Sequence, residues 1–193
     1  RGMTLPALLQ SCFTPHMRLF TCLLTVCLVA SCAEEPKPIT PSSPQGTVTL
    51  EDIEVPNQST AMEGVLTAGQ LSEEQMVALA GLGYQSFVSL READEGGSGW
   101  EEGFAAEKGL HFVRLPIAGA DGIDEAHARQ LDTLMEAEAR PMVLYCGSSN
   151  RVGALLALRA FHVQDMGAAE SLELGKSTGV TGLESMLEEK LGL

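Results

Sequence analysis

The chain has 193 residues, with 12 Lys and Arg against 26 Asp and Glu, for a formal net charge of −14. That length suits one domain with extensions, and a composition 45% apolar and 20% charged excludes global disorder. The acidity excludes non-specific nucleic-acid binding and docking on anionic lipid by a basic patch, since both need a cationic footprint. Five cysteines suggest a disulfide set until they are placed. Cys12, Cys22, Cys27 and Cys32 fall within the first 32 residues, and Cys146 stands alone.

The chain opens on Arg1, and Met17 is the better start. Arg18 supplies a positive end, and Leu19–Ala30 is an apolar run of twelve residues. A signal-peptide core is about 7–15 residues long, whereas a spanning helix needs about 20. The run closes on Val29-Ala30-Ser31-Cys32, which resembles the lipobox of bacterial lipoproteins. There, small residues precede a Cys that receives lipid and becomes the new N-terminus. The alternatives are an ordinary signal peptide cleaved near Ser31 and a short anchor. The resemblance implies a leader over residues 1–31, lipid attachment at Cys32, and membrane contact through that anchor only. Ala33, where Asp would signal retention, implies the outer membrane of a diderm host, with the domain facing the periplasm. Loss of residues 1–31 removes Arg1 and Arg18 and no acid, so the net charge moves from −14 to −16. Cys146 is then a thiol with no partner for an intramolecular disulfide, even in an oxidising compartment.

Residues 32–60 read as a linker. Pro36, Pro38, Pro41, Pro44 and Pro56, with Ser and Gly between them, favour an extended spacer that does not pack. The pattern turns globular near Gly64, and residues 61–193 form the domain. Ser72 opens a helix through a capping box with Gln75, and Gly83 is placed to end it. Phe87–Leu90 is a short apolar run, a candidate buried strand. Trp100–Lys108 reads as a helix stopped at Gly109, and His111–Leu115 as a strand stopped by Pro116. Asp124 is a good N-cap for a helix to about Glu138, with Ala128, Leu131 and Met135 at helical spacing. Met142–Tyr145 is a further strand, and Arg151–Phe161 a helix. More helix fills 167–176 and 181–191. Helices alternating with short apolar strands define an α/β fold, a three-layer arrangement with a parallel-type sheet and helices on both faces.

Ligands of parallel sheets bind beyond the carboxyl ends of the strands. Cys146 sits there, directly after Tyr145, followed by Gly147-Ser148-Ser149-Asn150-Arg151 and a helix. Small residues let such a loop curl so that successive backbone N–H groups face one anion. The helix N-terminus adds a positive dipole end, and a nearby guanidinium favours a thiolate. Arg151 can pair bidentately with two oxygens of a phosphate or sulfo group. Each residue alone has a plainer reading: an inert buried Cys, a solvated Arg. Their joint occurrence around a Gly/Ser/Ser/Asn loop favours an anion-binding thiol site.

Gly64–Leu191 resembles the bacterial phosphatase-like domain related to dual-specificity tyrosine phosphatases. That domain is found alone or fused to a beta-lactamase-like hydrolase or an NAD-kinase-like domain. The matching pieces are Thr67-Ala68-Gly69-Gln70, Phe87-Val88-Ser89-Leu90-Arg91, Gly109-Leu110-His111-Phe112 with Leu115-Pro116, and Tyr145-Cys146 through Asn150-Arg151-Val152-Gly153-Ala154-Leu155. The resemblance implies a Cys-loop phosphatase-like fold and hydrolysis of phosphate monoesters through a phosphocysteine. Cys146 is then the nucleophile, while Arg151 and the loop Gly147, Ser148, Ser149 and Asn150 hold the phosphate. Asp121, in the loop Ala118-Gly119-Ala120-Asp121-Gly122, is the candidate general acid, with a plain turn residue as its other reading. Asp124 competes for that role but reads better as an N-cap. Arg91 adds positive field, or pairs with Glu92, Asp94 or Glu95. The partner is a phosphorylated small molecule or protein, and no cofactor is implied.

The sequence departs from tyrosine phosphatases in several places. Four residues separate Cys146 from Arg151 where those enzymes have five. Tyr145 stands in place of His, Val152 in place of Ser or Thr, and Ser149 in place of a loop Gly, where positive φ is less easy. Two other functions stay open: a rhodanese-like sulfurtransferase with a persulfide on Cys146 and a sulfur donor as partner, and a non-catalytic anion- or partner-binding module. There is no dinucleotide or Walker motif, and His111, His127 and His162 lack metal-ligand spacing. The Glu-rich stretches Asp94–Glu102 and Glu136–Glu138 read as solvated surface, and Trp100 as a packing residue.

Overall fold

A computed structural model of the protein describes residues 48–193. The leader, Cys32 and the tether up to residue 47 lie outside the described residues. Five strands of four residues each make the sheet: β1 (Ser59–Met62), β2 (Val65–Ala68), β3 (Ser86–Ser89), β4 (His111–Arg114) and β5 (Met142–Tyr145). Their order is β1-β2-β5-β3-β4. The last four are mutually parallel, and β1 adds an antiparallel edge to β2. The parallel-type sheet expected from the alternation is therefore present, with one antiparallel edge strand added to it.

Side-chain alternation along each strand decides which helix covers which face. Leu66, Phe87, Val143 and Tyr145 face Met76, Leu79 and Ala105. These come from α1 (Glu73–Gly81) and α2 (Glu101–Lys108). Val65, Val88, Met142 and Leu144 face the opposite way, against Leu131, Met135, Leu155 and Leu156. These come from α3 (Glu125–Ala137) and α4 (Asn150–His162). β2, β3 and β5 are buried at every position, which favours apolar residues without alternation, although Thr67, Ser86 and Ser89 are buried among them. Outside α4 lie α5 (Ala168–Ser177) and α6 (Glu184–Leu191). Among the described residues no helix is long and apolar enough to cross a membrane.

The caps explain the helix bounds. Ser72 Oγ accepts from Gln75 N at 3.2 Å while Ser72 N donates to Gln75 Oε1 at 2.8 Å. Asp124 Oδ1 accepts from His127 N at 2.8 Å. Gly109, at φ 67°, closes α2 in the left-handed region. One helix begins later than its sequence suggests. The stretch from Thr181 reads as helical, yet Thr181 N and Gly182 N both donate to Asn150 Oδ1, at 2.8 and 2.7 Å. With those amides engaged outside the helix, α6 starts at Glu184.

The packed region also begins earlier than Gly64. Leu50–Asp52 form a 3₁₀ turn, and Ile53 and Val55 are buried against the α1 face. Pro56 lies among them, so the proline content of this stretch reads as linker although its apolar residues pack. β1 carries no sequence signal, because it is a half-exposed edge of Ser, Thr, Ala and Met.

α4 and α5 approach closely through glycines. A Cβ on Gly153 would stand 2.6 Å from Gly175 O and 2.8 Å from Val180 N, both backbone atoms with little room to move. Gly153→Ala is expected to destabilise the fold by about 1–3 kcal/mol, the usual cost of overpacking. Urea unfolding measures this, and an unchanged midpoint would show that the two helices are free to separate.

Candidate functional site

β5 lies between β2 and β3, so its carboxyl end opens at the middle of the sheet. The chain leaves it through Cys146, which is 1% exposed. Cys146 N donates to Ala68 O at 3.3 Å, and Gln70 N donates to Gly147 O at 3.2 Å. The end of β2 thus pins the first half of the Cys146–Arg151 loop. Its second half is set by Ser149, which takes φ 66° and is buried. A non-glycine residue in this region is strained. Here Ser149 Oγ donates to Thr178 O at 3.1 Å, which helps hold the conformation. The positive φ that Ser149 made less easy is therefore adopted. A Cβ on Gly179 would come 2.2 Å from that same Oγ, so glycine is required at 179.

After Ser149 the chain enters α4. The first N–H groups of a helix lack intrahelical acceptors and favour an anion in front of them. Asn150, expected among the anion-binding residues, turns its side chain elsewhere. It holds Thr181 and Gly182, and its Nδ2 donates to Ser148 Oγ at 3.2 Å. Asn150 is therefore a brace between the loop and the α5–α6 connection.

Arg151 is fixed along one edge. Nη1 donates to Glu95 Oε2 at 2.9 Å and to Ile117 O at 2.8 Å, and Nη2 donates to Glu95 Oε1 at 2.6 Å. Nε makes no hydrogen bond among the described residues, so the Nε–Nη2 edge keeps donors for a ligand. Nη2 lies over the loop, 3.8 Å from where a Cβ on Gly147 would be. Burial works against the Arg151 charge, but the Glu95 bond and neighbouring Cys146 outweigh it and raise its pKa. Glu95 in turn is held down to about 2, chiefly by its bond from Arg151, with Arg91 adding to the effect.

Of the two readings of Arg91, added positive field or a pair with Glu92, Asp94 or Glu95, the structure shows the pair with Glu95. Nε donates to Glu95 Oε1 at 2.9 Å, Nη2 to Gly96 O at 2.7 Å, and Nη1 to Gln70 Oε1. Gln70 Nε2 donates to Glu101 Oε1 at 2.7 Å, and Glu101, which is fully buried, pairs with Arg114 at 2.9 Å. Glu95 and Glu101 both lie in the stretch read as solvated surface. That reading fails for these two, because tertiary contacts supply cations that the local sequence does not reveal. Tyr145, in the place of His, is buried on this side of the sheet, and burial pushes its pKa up. Trp100 packs edge-on to Phe104 with centroids 5.5 Å apart, as a packing residue does.

A cleft of about 540 Å³ opens over the loop. Glu92 and Glu95 line it from the β3–α2 connection, and Gly119 and Ala120 from the β4–α3 connection. Ser148, Asn150 and Arg151 form its floor, with Gly182 and Leu183 beyond. Asp121 is exposed on the same connection as Gly119 and Ala120 but is not in the cleft lining. Asp124 is occupied as the cap of α3, and its carboxyl is held low chiefly by the His127 N–H. The structure thus sets Arg151 and the loop around Cys146, which is buried and, like Asp121, not in the cleft lining, with Arg91 behind them. The pairing of Glu95 with Arg151 and the place of Glu92 in the cleft wall are what the sequence does not announce. No group of three His, Cys, Asp or Glu residues among the described residues is placed to hold a metal ion.

No family model matches the chain, and no curated protein sequence matches it. Solved structures do match its fold. A candidate phosphatase of Neisseria meningitidis is 17% identical, with 68% of this chain and 96% of that chain covered and a TM-score of 0.57. TpbA of P. aeruginosa is 19% identical, with 71% and 84% covered and a TM-score of 0.53. The core catalytic domain of the PP-IP phosphatase SIW14 from S. cerevisiae is 13% identical, with 71% and 86% covered and a TM-score of 0.51. At these identities the likeness is one of fold. The fold is that of the cysteine-based phosphatases.

The Glu95 clamp has a pH signature. Its carboxyl is lowered from 4.5 to about 2 in the folded state. A depressed carboxyl contributes stability that is complete above its unfolded value and is lost as pH falls through the folded one. The urea midpoint of the native protein is therefore expected to fall between pH 5 and pH 2 more steeply than that of Glu95→Gln. Parallel slopes would contradict the ion pair in solution.

Proposed function

We propose that the chain is a cysteine-dependent phosphatase-like enzyme that hydrolyses phosphate monoesters through a phosphocysteine at Cys146. The observation that carries this reading is the set of Arg151. One edge of its guanidinium is locked by Glu95 and Ile117 O, while donors on the other remain for an oxyanion above Cys146. In the first step the Cys146 thiolate forms an S–P bond as the ester P–O bond breaks, and the leaving oxygen takes a proton from an acid. In the second, water attacks phosphorus, its proton returns to that acid, and the thiolate leaves with release of phosphate. Arg151 and the amides ahead of α4 hold the non-bridging oxygens in both steps.

Glu95 is unsuited to be the acid, since it is ionised down to about pH 2 and bonded to two arginines. Asp121 stays the candidate, on a connection whose Gly119 and Ala120 already border the cleft. Val152 is buried and carries no hydroxyl to help the thiolate leave, so slow turnover is expected. A sulfurtransferase is the second reading. It needs no general acid, and the place of Asp121 outside the cleft lining favours it. We further propose, from the Met17–Cys32 pattern alone, that the domain is a lipoprotein of the bacterial envelope, tethered through Cys32 on the periplasmic face of an outer membrane.

The test assays the purified protein in parallel with an aryl phosphate and with thiosulfate plus cyanide, beside Cys146→Ser. Weak phosphate release that disappears in Cys146→Ser is expected. Turnover of thiosulfate alone would replace the phosphatase reading with the sulfurtransferase one. Equal activity of mutant and wild type would remove both.

A further inference from the structure

The charges around the cleft bear on what kind of ester it takes. Resting on the phosphatase reading, we infer that the site selects a phosphate monoester carrying positive charge beside its phosphate, and discriminates against esters with further negative charge.

At the floor Arg151, with Arg91 buried behind it, faces one carboxylate, Glu95. Those three groups leave one net positive charge. Arg91 is 7% exposed, makes a hydrogen bond within the protein from each of its three nitrogens, and is not in the cleft lining. Glu92 then lines the cleft wall, its carboxylate making no hydrogen bond or ion pair among the described residues, and cancels the remaining charge. Apart from Arg151, no Lys or Arg lines the cleft. On the α5 side Lys176 is taken by Glu173, at 3.3 Å, and by Glu184, at 2.8 Å. On the β4–α3 side the exposed charged residue is Asp121.

A phosphate monoester brings about two negative charges near neutral pH. Loop amides, the helix end and the open edge of Arg151 can take one such group at the floor. A second phosphate or a flanking carboxylate would meet Glu92 with no Lys or Arg beyond Arg151 in the cleft lining to offset it. A flanking ammonium or guanidinium would meet the same carboxylate favourably and supply the countercharge that the wall lacks. Glu92 is thus a specificity-determining residue, acting on the group next to the phosphate and not on the reacting atoms. At a separation of several ångströms in a solvent-open cleft, one such charge reversal is worth about three- to tenfold in selectivity.

The experiment compares phosphotyrosine peptides of one length flanked by Lys, Ala or Glu. Phosphate release by the full chain is expected to follow the order Lys, Ala, Glu in kcat/KM. The ratio of the extremes is expected to be about tenfold at low salt and to shrink toward unity near about 0.5 M salt. Glu92→Lys is expected to abolish or reverse the order. Cys146-dependent release at equal rates from all three peptides would overturn the charge preference and leave the phosphatase reading standing. Release from none, in wild type and Cys146→Ser alike, would overturn the phosphatase reading. Binding of the same peptides carrying a difluoromethylphosphonate, followed by fluorescence polarisation, would then decide the preference. Tighter binding of the Lys-flanked form supports it, and equal or reversed affinities overturn it.

Discussion

Glu95 gripped between Arg151 and Arg91 is the interaction on which the arrangement of the site depends. A guanidinium at the start of a helix is disfavoured by the helix dipole, and a long side chain there has many rotamers. Glu95 answers both problems. Its carboxylate neutralises the charge, and its two oxygens fix the plane of the guanidinium over the loop. Ile117 O takes another donor and fixes the same edge from a second element. Nε of Arg151 makes no hydrogen bond among the described residues. The resting site is thus organised by an internal carboxylate, whose Oε1 stands with Arg151 Nη2 beside Gly147 of the loop.

Glu95 can do this because it is itself held. Arg91 binds it from the end of β3, and Gln70 links Arg91 to Glu101, which pairs with Arg114 on the outer strand β4. A chain of polar groups thus runs under the α1–α2 side of the sheet, from the edge to the Cys loop. Charged groups in such places are costly to strand, and losing one partner of a buried pair typically destabilises by about 3–5 kcal/mol. Among the described residues the opposite face joins sheet to helix at one edge, where Ser59 Oγ of β1 donates to Ser177 O of α5 at 2.7 Å. On that face Val152, Leu155 and Leu156 of α4 pack on Val65, Val88, Met142 and Leu144. One face of the sheet gives the loop its electrostatic setting, and the other gives the helix behind it a rigid seat.

The strand–loop–helix around Cys146 is legible in the sequence because its parts are local. Four apolar residues, a run of small ones and an Arg at the head of an apolar helix lie within one short stretch. The α helices are legible for the same reason, through caps such as Ser72 and Asp124. What escapes is set at long range. Glu95 reads at most as a local partner of Arg91, since its other partner, Arg151, lies 56 residues away. Glu101 looks solvated, although a strand and a loop from elsewhere bury it. Asn150 looks like an anion ligand until Thr181 and Gly182 arrive from the far side of α5. β1 escapes because a polar edge strand has neither the apolar alternation nor the turn chemistry that would mark it.

The most direct measurement follows the phosphoryl group itself. The protein is mixed with an aryl phosphate, quenched in acid within its first turnovers, digested, and its peptides are analysed by mass spectrometry. A phosphoryl group on Cys146 in wild type, missing from Cys146→Ser and strongly reduced in Arg151→Ala, is the predicted result. Phosphate released at the wild-type rate without labelling Cys146, or a label on another residue, would contradict it.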